Sequence, residues 1–185
     1  AALGIAVHLI KGYGDTAVAE HTIAHLFAAA RELAAMDRAM RAGTWLRREG
    51  VQLAGRTLGL VGFGGIAAEV ARIARAIGMR VIAWNRTPRL AAGVEFVAIE
   101  RLLADSDAVS LHLLLNDETR GFLSRARIAA MRPGAILVNT ARGALVDEDA
   151  MADALRSGRL GHAALDVFAV EPLPAGHALT ALANV

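Results

Sequence analysis

The chain has 185 residues and a formal net charge of +2, a size that fits one domain or one domain with an appendage. Hydrophobic residues make up 55% and aromatic residues only 4%, and this composition suits helices packed closely on a sheet. Interleaved basic and acidic residues speak against nucleic-acid binding, short apolar runs speak against a membrane span, and zero cysteines exclude disulfides and fit a cytoplasmic protein.

Apolar runs and helical spacing alternate along the chain. The opening AALGIAVHLI predicts a buried strand, and residues 17–40 predict a long leading helix capped by Asp15 or Thr16. This alternation with short connections predicts an α/β fold, with a doubly wound parallel sheet and a long leading helix. Further strands are predicted at 58–61, 81–84, 94–97, 108–114, 135–139 and 161–167, with helices at 66–77, 99–104, 124–131 and 148–156.

A glycine-rich turn follows the strand predicted at 58–61. Residues 62–67 fit the pattern G-x-G-x-x-G/A, and they open a helix within a βαβ-sized span. Gly62 would permit the tight bend, and Gly64 would let backbone N–H groups approach a pyrophosphate at the positive end of the helix. The motif predicts Rossmann-type dinucleotide binding, and an ordinary glycine-rich turn is the alternative.

The residues at the end of the strand predicted at 81–84 determine whether the site favours NAD or NADP. A carboxylate there would accept a hydrogen bond from the ribose 2′-hydroxyl of NAD, but this chain has Asn85, Arg86 and Thr87. The Arg86 guanidinium offers a fork of donors for a phosphate, and Thr87 adds a hydroxyl. These residues favour NADP over NAD. The alternative is that Arg86 points into solvent and Asn85 holds the ribose of NAD.

Three downstream segments, 107–121, 137–147 and 164–172, resemble the D-2-hydroxyacid dehydrogenase family, as does the segment 12–21. The run NTARG in the second segment, followed at this spacing by DVF and EP in the third, is far more specific than the glycine motif. The resemblance implies hydride transfer between NAD(P)H and a 2-oxo or 2-hydroxy acid, with glyoxylate or hydroxypyruvate as possible substrates.

The resemblance also implies roles for individual residues. Arg142 matches the substrate-binding arginine, whose guanidinium can clamp a carboxylate and polarise the neighbouring carbonyl. Glu171 matches the acid that partners a catalytic histidine, although a residue before proline also fits a turn. The matching cofactor contacts are Gly65 and Ile66 at the pyrophosphate, Thr140 and Ala141 at a strand end, Asp166 near the nicotinamide, and Leu114 and Thr119 along the nucleotide.

Two departures from the family limit the activity expected of this chain. The family's proton-donating histidine follows a segment like 182–185, where this sequence stops, and His177 lacks the matching context. The family also places most of a substrate domain before the segment near Gly12. We therefore expect 1–14 to be a remnant of that junction, 15–185 to form the NAD(P)-binding domain, and the chain to bind nucleotide with little turnover.

Other interpretations remain open at this point. Corepressors of the C-terminal-binding-protein type share this fold, and Arg142 and Glu171 occur in them, so a nucleotide-sensing binding module is the alternative function. His21 and His25 are spaced four apart, as in some metal sites, but no third ligand is evident and no metal is expected. His112, on a predicted strand, is expected to be a core residue or to lie behind the site.

The leading helix carries more apolar side chains than one packed face needs. This excess predicts a homodimer through the helix. The residues concerned are Ile23, Leu26, Phe27, Leu33 and Met36.

Overall fold

A computed structural model describes residue 8 and residues 10–87 and 89–185 of the chain. The strand predicted in the first ten residues lies almost entirely outside the described residues. The helices are α1 Asp15–Ala30, α2 Leu33–Arg41, α3 Gly65–Ala76, α4 Ile99–Asp105, α5 Arg125–Ala130 and α6 Glu148–Arg156. The strands are β1 Thr57–Val61, β2 Arg80–Trp84, β3 Glu95–Phe96, β4 Ala108–Leu111, β5 Ala135–Asn139 and β6 Leu160–Leu165.

The six strands form one sheet in the order β3-β2-β1-β4-β5-β6, and each neighbouring pair is parallel. The chain winds outward from β1 to β3 and then crosses back to β4, so its winding direction reverses between β1 and β4. This order confirms the predicted Rossmann-type doubly wound fold. A crevice forms outside the carboxyl ends of strands at such a reversal, and ligands bind there in open α/β sheets.

Helices cover both faces of the sheet, and each face has its own apolar core. Along β1, Leu60 packs into the core beneath α1 and α3, whereas Val61 packs into the core beneath α4, α5 and α6. Successive side chains of a strand point to opposite faces, so burial on both sides requires an uninterrupted apolar run. This requirement is why β1, β4 and β5 were recognisable as short apolar runs.

The carboxyl ends of the five longer strands are level. Val61 pairs with both Trp84 and Leu111, Leu111 pairs with Asn139, and Asn139 pairs with Leu165. The residues that follow these strands therefore lie along one edge of the sheet. They are Gly62, Asn85, His112, Thr140 and Asp166.

The prediction of one long leading helix was wrong, because α1 and α2 are separated at Glu32. This residue has a φ of 51°, a left-handed conformation that is uncommon for residues other than glycine. Long-range contacts hold it: its carboxylate lies 3.4 Å from Arg48 and 3.9 Å from His162, and the Val51 N–H donates to the Ala30 carbonyl at 2.7 Å. These partners are remote in sequence, so helical periodicity alone did not reveal the break.

Other differences concern the ends of elements. The first helix begins at Asp15 itself, after Gly14, and no side chain caps its start. Strand β4 ends at Leu111 rather than at 114, which leaves residues 112–115 as a loop at the edge of the sheet. Within the part of the chain that the structure describes, no helix has the length and apolar character needed to cross a membrane.

Candidate functional site

The glycine turn between β1 and α3 has two glycines with different functions. Gly62 has a φ of 91°, and a Cβ there would lie 2.7 Å from the His112 carbonyl oxygen, so the fold itself requires glycine. Gly64 is extended, and a Cβ there would meet nothing within 4 Å. The structure therefore uses Gly62 to make the bend, while Gly64 leaves open space in front of α3.

The start of α3 faces a cavity of about 330 Å³. The first intrahelical hydrogen bond here runs from the Ala68 N–H to the Gly64 carbonyl at 3.0 Å, so the preceding N–H groups are free for a ligand. An anion such as a pyrophosphate fits these donors and the positive end of the helix dipole. The cavity is lined by Gly64–Ala67 on one side and by 112–115 and 140–142 on the other, with Asp15 and Val18 from α1.

Asp15 is a residue of this cavity that sequence analysis assigned only to capping. A Cβ at Gly65 would overlap the Asp15 carboxylate, so the absence of a side chain at Gly65 accommodates that group. A carboxylate beside the start of a helix is electrostatically favoured, as an anionic ligand would be. An anion bound to these N–H groups would therefore lie close to the Asp15 carboxylate.

A second cavity of about 380 Å³ lies at the end of β2 and shares Leu113 and Leu114 with the first. It brings together predicted residues from two parts of the chain, namely Asn85, Arg86, Thr87, Leu114 and Thr119. The two cavities form adjoining parts of one cleft along the strand ends. An elongated ligand with an anionic middle fits such a cleft better than a compact one.

Asn85 and Arg86 already have partners within the chain. The Asn85 side chain accepts from the Phe63 N–H at 3.1 Å and donates to the Thr87 carbonyl at 2.7 Å, which ties the glycine turn to the end of β2. The exposed Arg86 guanidinium donates to the Glu118 carboxylate. A phosphate at Arg86 would therefore compete with Glu118, a residue that sequence analysis did not single out.

The loop after β4 carries Leu114 and Thr119. The Thr119 hydroxyl donates to the Leu114 carbonyl at 2.7 Å and accepts from the Asn116 N–H at 2.8 Å, so it holds the loop in shape. Leu114 is 80% exposed and lines both cavities. An exposed leucine in a cleft offers apolar surface to the flat side of a bound ring.

The loop after β5 is shaped by Asn139, another residue that sequence analysis did not assign to the site. Its buried side chain accepts from the Ala141 N–H at 3.1 Å and donates to the Arg142 carbonyl at 2.9 Å. The Thr140 hydroxyl donates to Thr22, because the only hydroxyl hydrogen of Thr22 is used on the Val18 carbonyl. A buried asparagine at a strand end is the one sequence signal for this support.

Arg142 lines the first cavity and is exposed. Its guanidinium donates to the Ala141 carbonyl at 2.6 Å, and no acidic side chain among the described residues forms an ion pair with it. The structure thus presents an uncompensated cation beside the start of α3. Such a group can bind a carboxylate in bidentate fashion.

Glu171 and Asp166 line neither cavity. The Glu171 carboxylate accepts from the Phe168 N–H at 2.9 Å and, with Glu148, which accepts from Ala169 at 2.7 Å, it fixes the loop after β6. Asp166 instead lies 3.2 Å from His21, on α1. The predicted site residues therefore divide into a group along the cleft and a smaller group beyond β6.

His112 follows β4 beside the glycine turn, where it is half-buried and lines the first cavity, so the expectation of a residue in the core or behind the site was wrong. Its Nε2 is 2.9 Å from the Ser110 hydroxyl, and burial lowers the pKa of His112 to about 4. The imidazole is therefore neutral at pH 7 and can exchange one hydrogen bond with Ser110.

The comparisons with known proteins agree with this geometry. The family described as D-isomer specific 2-hydroxyacid dehydrogenase, NAD binding domain, matches residues 23–185. The chain belongs to this family. It is 43% identical to a glyoxylate reductase from Aeropyrum pernix, and the match covers 99% of this chain and 58% of that protein.

Solved structures show the same relationship. A protein from Thermus thermophilus superposes with a TM-score of 0.93 at 46% identity, covering 99% of this chain and 60% of that one. A D-isomer specific 2-hydroxyacid dehydrogenase from Xanthobacter autotrophicus Py2, in complex with NADPH and MES, superposes with a TM-score of 0.85 at 35% identity. That match covers 98% of this chain and 77% of the other.

The two glycines of the turn predict opposite mutational effects. Gly64→Ala should weaken dinucleotide binding tenfold or more with little change in the free energy of unfolding, because its methyl enters only the open cavity. Gly62→Ala should lower the free energy of unfolding by about 1–3 kcal/mol through backbone strain. Calorimetric titration and urea unfolding of both variants would test this. Normal nucleotide affinity in Gly64→Ala would contradict the placement of the ligand.

His112 predicts a stability loss in acid. Its folded pKa of about 4 is below the ordinary 6.5, so its contribution is complete above pH 6.5 and is lost as the pH falls towards 4. The loss is at most about 3 kcal/mol. Urea unfolding of the native chain and of His112→Gln between pH 7 and 4.5 should show a shallower pH dependence in the variant. Parallel pH profiles would show that His112 is not the group responsible.

Proposed function

We propose that the chain is the nucleotide-binding domain of an oxidoreductase that transfers hydride between NAD(P)H and a 2-oxo or 2-hydroxy acid. The observation that carries this proposal is the cavity shared by the open start of α3 and by Arg142. The first offers donors for a pyrophosphate, and the second offers a cation for a carboxylate. In this proposal residues 15–185 form the nucleotide-binding domain and residues 1–14 belong to the junction with a substrate domain.

The residues of this chain supply orientation and charge. The nicotinamide supplies or accepts the hydride when it is bound. Arg142 holds the substrate carboxylate and polarises the carbonyl beside it, while Glu171 supports a proton-donating histidine in the longer protein. Because the match spans 58% of the Aeropyrum glyoxylate reductase, we expect this chain alone to bind nucleotide with little turnover. Glyoxylate and hydroxypyruvate are the substrates we propose for the longer protein.

The relatives favour an enzyme over the nucleotide-sensing module. Of those named above, the Aeropyrum protein is called a glyoxylate reductase and the Xanthobacter protein a 2-hydroxyacid dehydrogenase. Reduction of 2-oxo acids by a longer form of the protein that includes a substrate domain would support the enzyme. Nucleotide binding by that form without any turnover of such acids would support the module.

NADP is our proposed cofactor in preference to NAD. Position 85, at the end of β2, is an amide rather than a carboxylate, and Arg86 and Thr87 line the cavity beside it. The ion pair between Arg86 and Glu118 opposes phosphate binding, since a 2′-phosphate must displace the Glu118 carboxylate. The related Xanthobacter enzyme was solved with NADPH. In this proposal Arg86 creates the preference for NADP over NAD, and Glu118 makes that preference smaller.

Calorimetric titration of the chain with NADPH and NADH tests the proposed cofactor. Binding should favour NADPH by about tenfold, or ~1.4 kcal/mol. Arg86→Ala should abolish that preference, and Glu118→Gln should increase it because the competing carboxylate is gone. Glu100→Gln, an exposed acid on α4, is the matched control and should change neither affinity. Equal affinities, or a preference for NADH, would be consistent with a dinucleotide site but would contradict phosphate binding by Arg86.

We also propose that the chain forms a homodimer, through a smaller surface than the sequence suggested. Ile23 and Leu26 are buried against the chain's own sheet, whereas Leu33 and Met40 on α2 are 50% and 55% exposed. Light scattering at tens of micromolar should therefore give the mass of a dimer. The variant carrying Leu33→Lys and Met40→Lys should give the mass of a monomer. A monomeric native chain would rule out this interface.

A further inference from the structure

We propose that His21, His25 and Asp166 form a binding site for a divalent transition-metal ion of the Zn²⁺ class. Each residue offers one ligand atom, and the three atoms lie within 4.8 Å of one another. The Nε2 atoms of the two histidines are 3.1 Å apart, and Nε2 of His21 is 3.2 Å from Oδ1 of Asp166.

These spacings fit a tetrahedral ion. Zinc binds imidazole nitrogen and carboxylate oxygen at about 2.0–2.2 Å, which places tetrahedral ligand atoms about 3.3–3.6 Å apart. The two distances to Nε2 of His21 are 3.1 and 3.2 Å, just below this range, and the His25 and Asp166 ligand atoms lie within 4.8 Å of each other. Three protein ligands leave a fourth position for water, as in open zinc sites.

Hydrogen bonding alone does not account for the cluster. In a neutral imidazole, Nε2 carries either a proton or a lone pair. Nε2 of His21 nevertheless makes two close contacts, to Asp166 and to His25, and a proton directed at one of them is poorly placed for the other. A cation between the three groups would bind all of their lone pairs at once.

The fold holds the three ligands in place before any ion binds. His21 and His25 are one turn apart on α1, so they project from the same side of the helix. Helix α1 is anchored by the buried Ile23 and Leu26. Asp166 follows β6 directly, and its N–H donates to the Asn139 carbonyl at 3.1 Å. The side chains of His21 and Asp166 are half exposed, so an ion can enter from solvent.

The site also has a consequence for nucleotide binding, and this consequence rests on the proposed function. Asp166 is one of the residues predicted to contact the cofactor near the nicotinamide. A carboxylate that coordinates a metal is less available to a nucleotide amide, so metal and dinucleotide should oppose each other. By linkage, each should weaken the affinity of the other by the same factor.

Calorimetric titration of the EDTA-stripped chain with Zn²⁺ tests the site. We expect one ion per chain, with affinity at least tenfold weaker in each of His21→Ala, His25→Ala and Asp166→Asn. Alanine is a strong helix former, so the two helix variants should fold normally, and circular dichroism checks this. His177→Ala is the matched histidine control and should bind Zn²⁺ like the native chain.

Visible absorption of Co²⁺ provides a second readout, because a tetrahedral site gives intense bands that a hydrated ion lacks. The bands should appear with the native chain and with His177→Ala, and they should be absent from the three ligand variants. No Zn²⁺ binding, or equal binding in the native chain and all three ligand variants, would overturn the site.

A final titration separates this proposal from the proposed function. The Zn²⁺ dissociation constant should rise at least fivefold at an NADPH concentration that saturates the native chain, and Gly64→Ala, which binds the nucleotide more weakly, should show a smaller rise at the same concentration. If NADPH does not bind at all, the proposed function fails while the ligand variants still decide the metal site. If both ligands bind without affecting each other, the antagonism through Asp166 is overturned.

Discussion

The level register of the parallel strands is the constraint on which the rest of the site depends. Backbone hydrogen bonds align Val61 with Trp84 and Leu111, and they align Asn139 with both Leu111 and Leu165. A slip of one residue would turn every side chain of a strand to the opposite face, and the two apolar cores prevent it. The first residue after each of these strands is therefore placed at the same edge of the sheet.

Polar side chains then give that edge its shape. Two side-chain amides form hydrogen bonds that stabilise this edge. Asn85 connects the glycine turn to the end of β2, and Asn139 holds the loop that carries Arg142. Between these two asparagines, the start of α3 faces the cavity with free N–H groups. The backbone of the cleft is thus formed before a nucleotide binds, and the rearrangement that binding requires is confined to side chains such as Asp15 and Glu118.

The fold was predictable because its signals are local. Uninterrupted apolar runs marked the buried strands, and the glycine pattern marked the turn that Gly62 makes. The residues along the cleft, such as Arg86 and Arg142, were identified from their positions after predicted strands and from the family resemblance. The break at Glu32 was not predictable, because its causes are contacts with Arg48 and His162, which are distant in sequence.

The same reasoning explains which features of the site were missed. Glu118 approaches Arg86, and Asp166 approaches His21, only through the packing of separate loops and helices. Sequence spacing recognised the two histidines four residues apart but could not supply a third ligand 141 positions further along than His25. Long-range pairs of this kind are where the structure adds most to the chemistry of the site.

The most direct test of dinucleotide binding at the start of α3 is an NMR titration of the ¹⁵N-labelled chain with NADPH. The largest amide shift changes should occur at Gly64, Gly65 and Ile66, with a second group at residues 85–87, and both should saturate together. Shift changes confined to the face covered by α4, α5 and α6, or no saturable changes, would contradict a nucleotide site at this edge of the sheet.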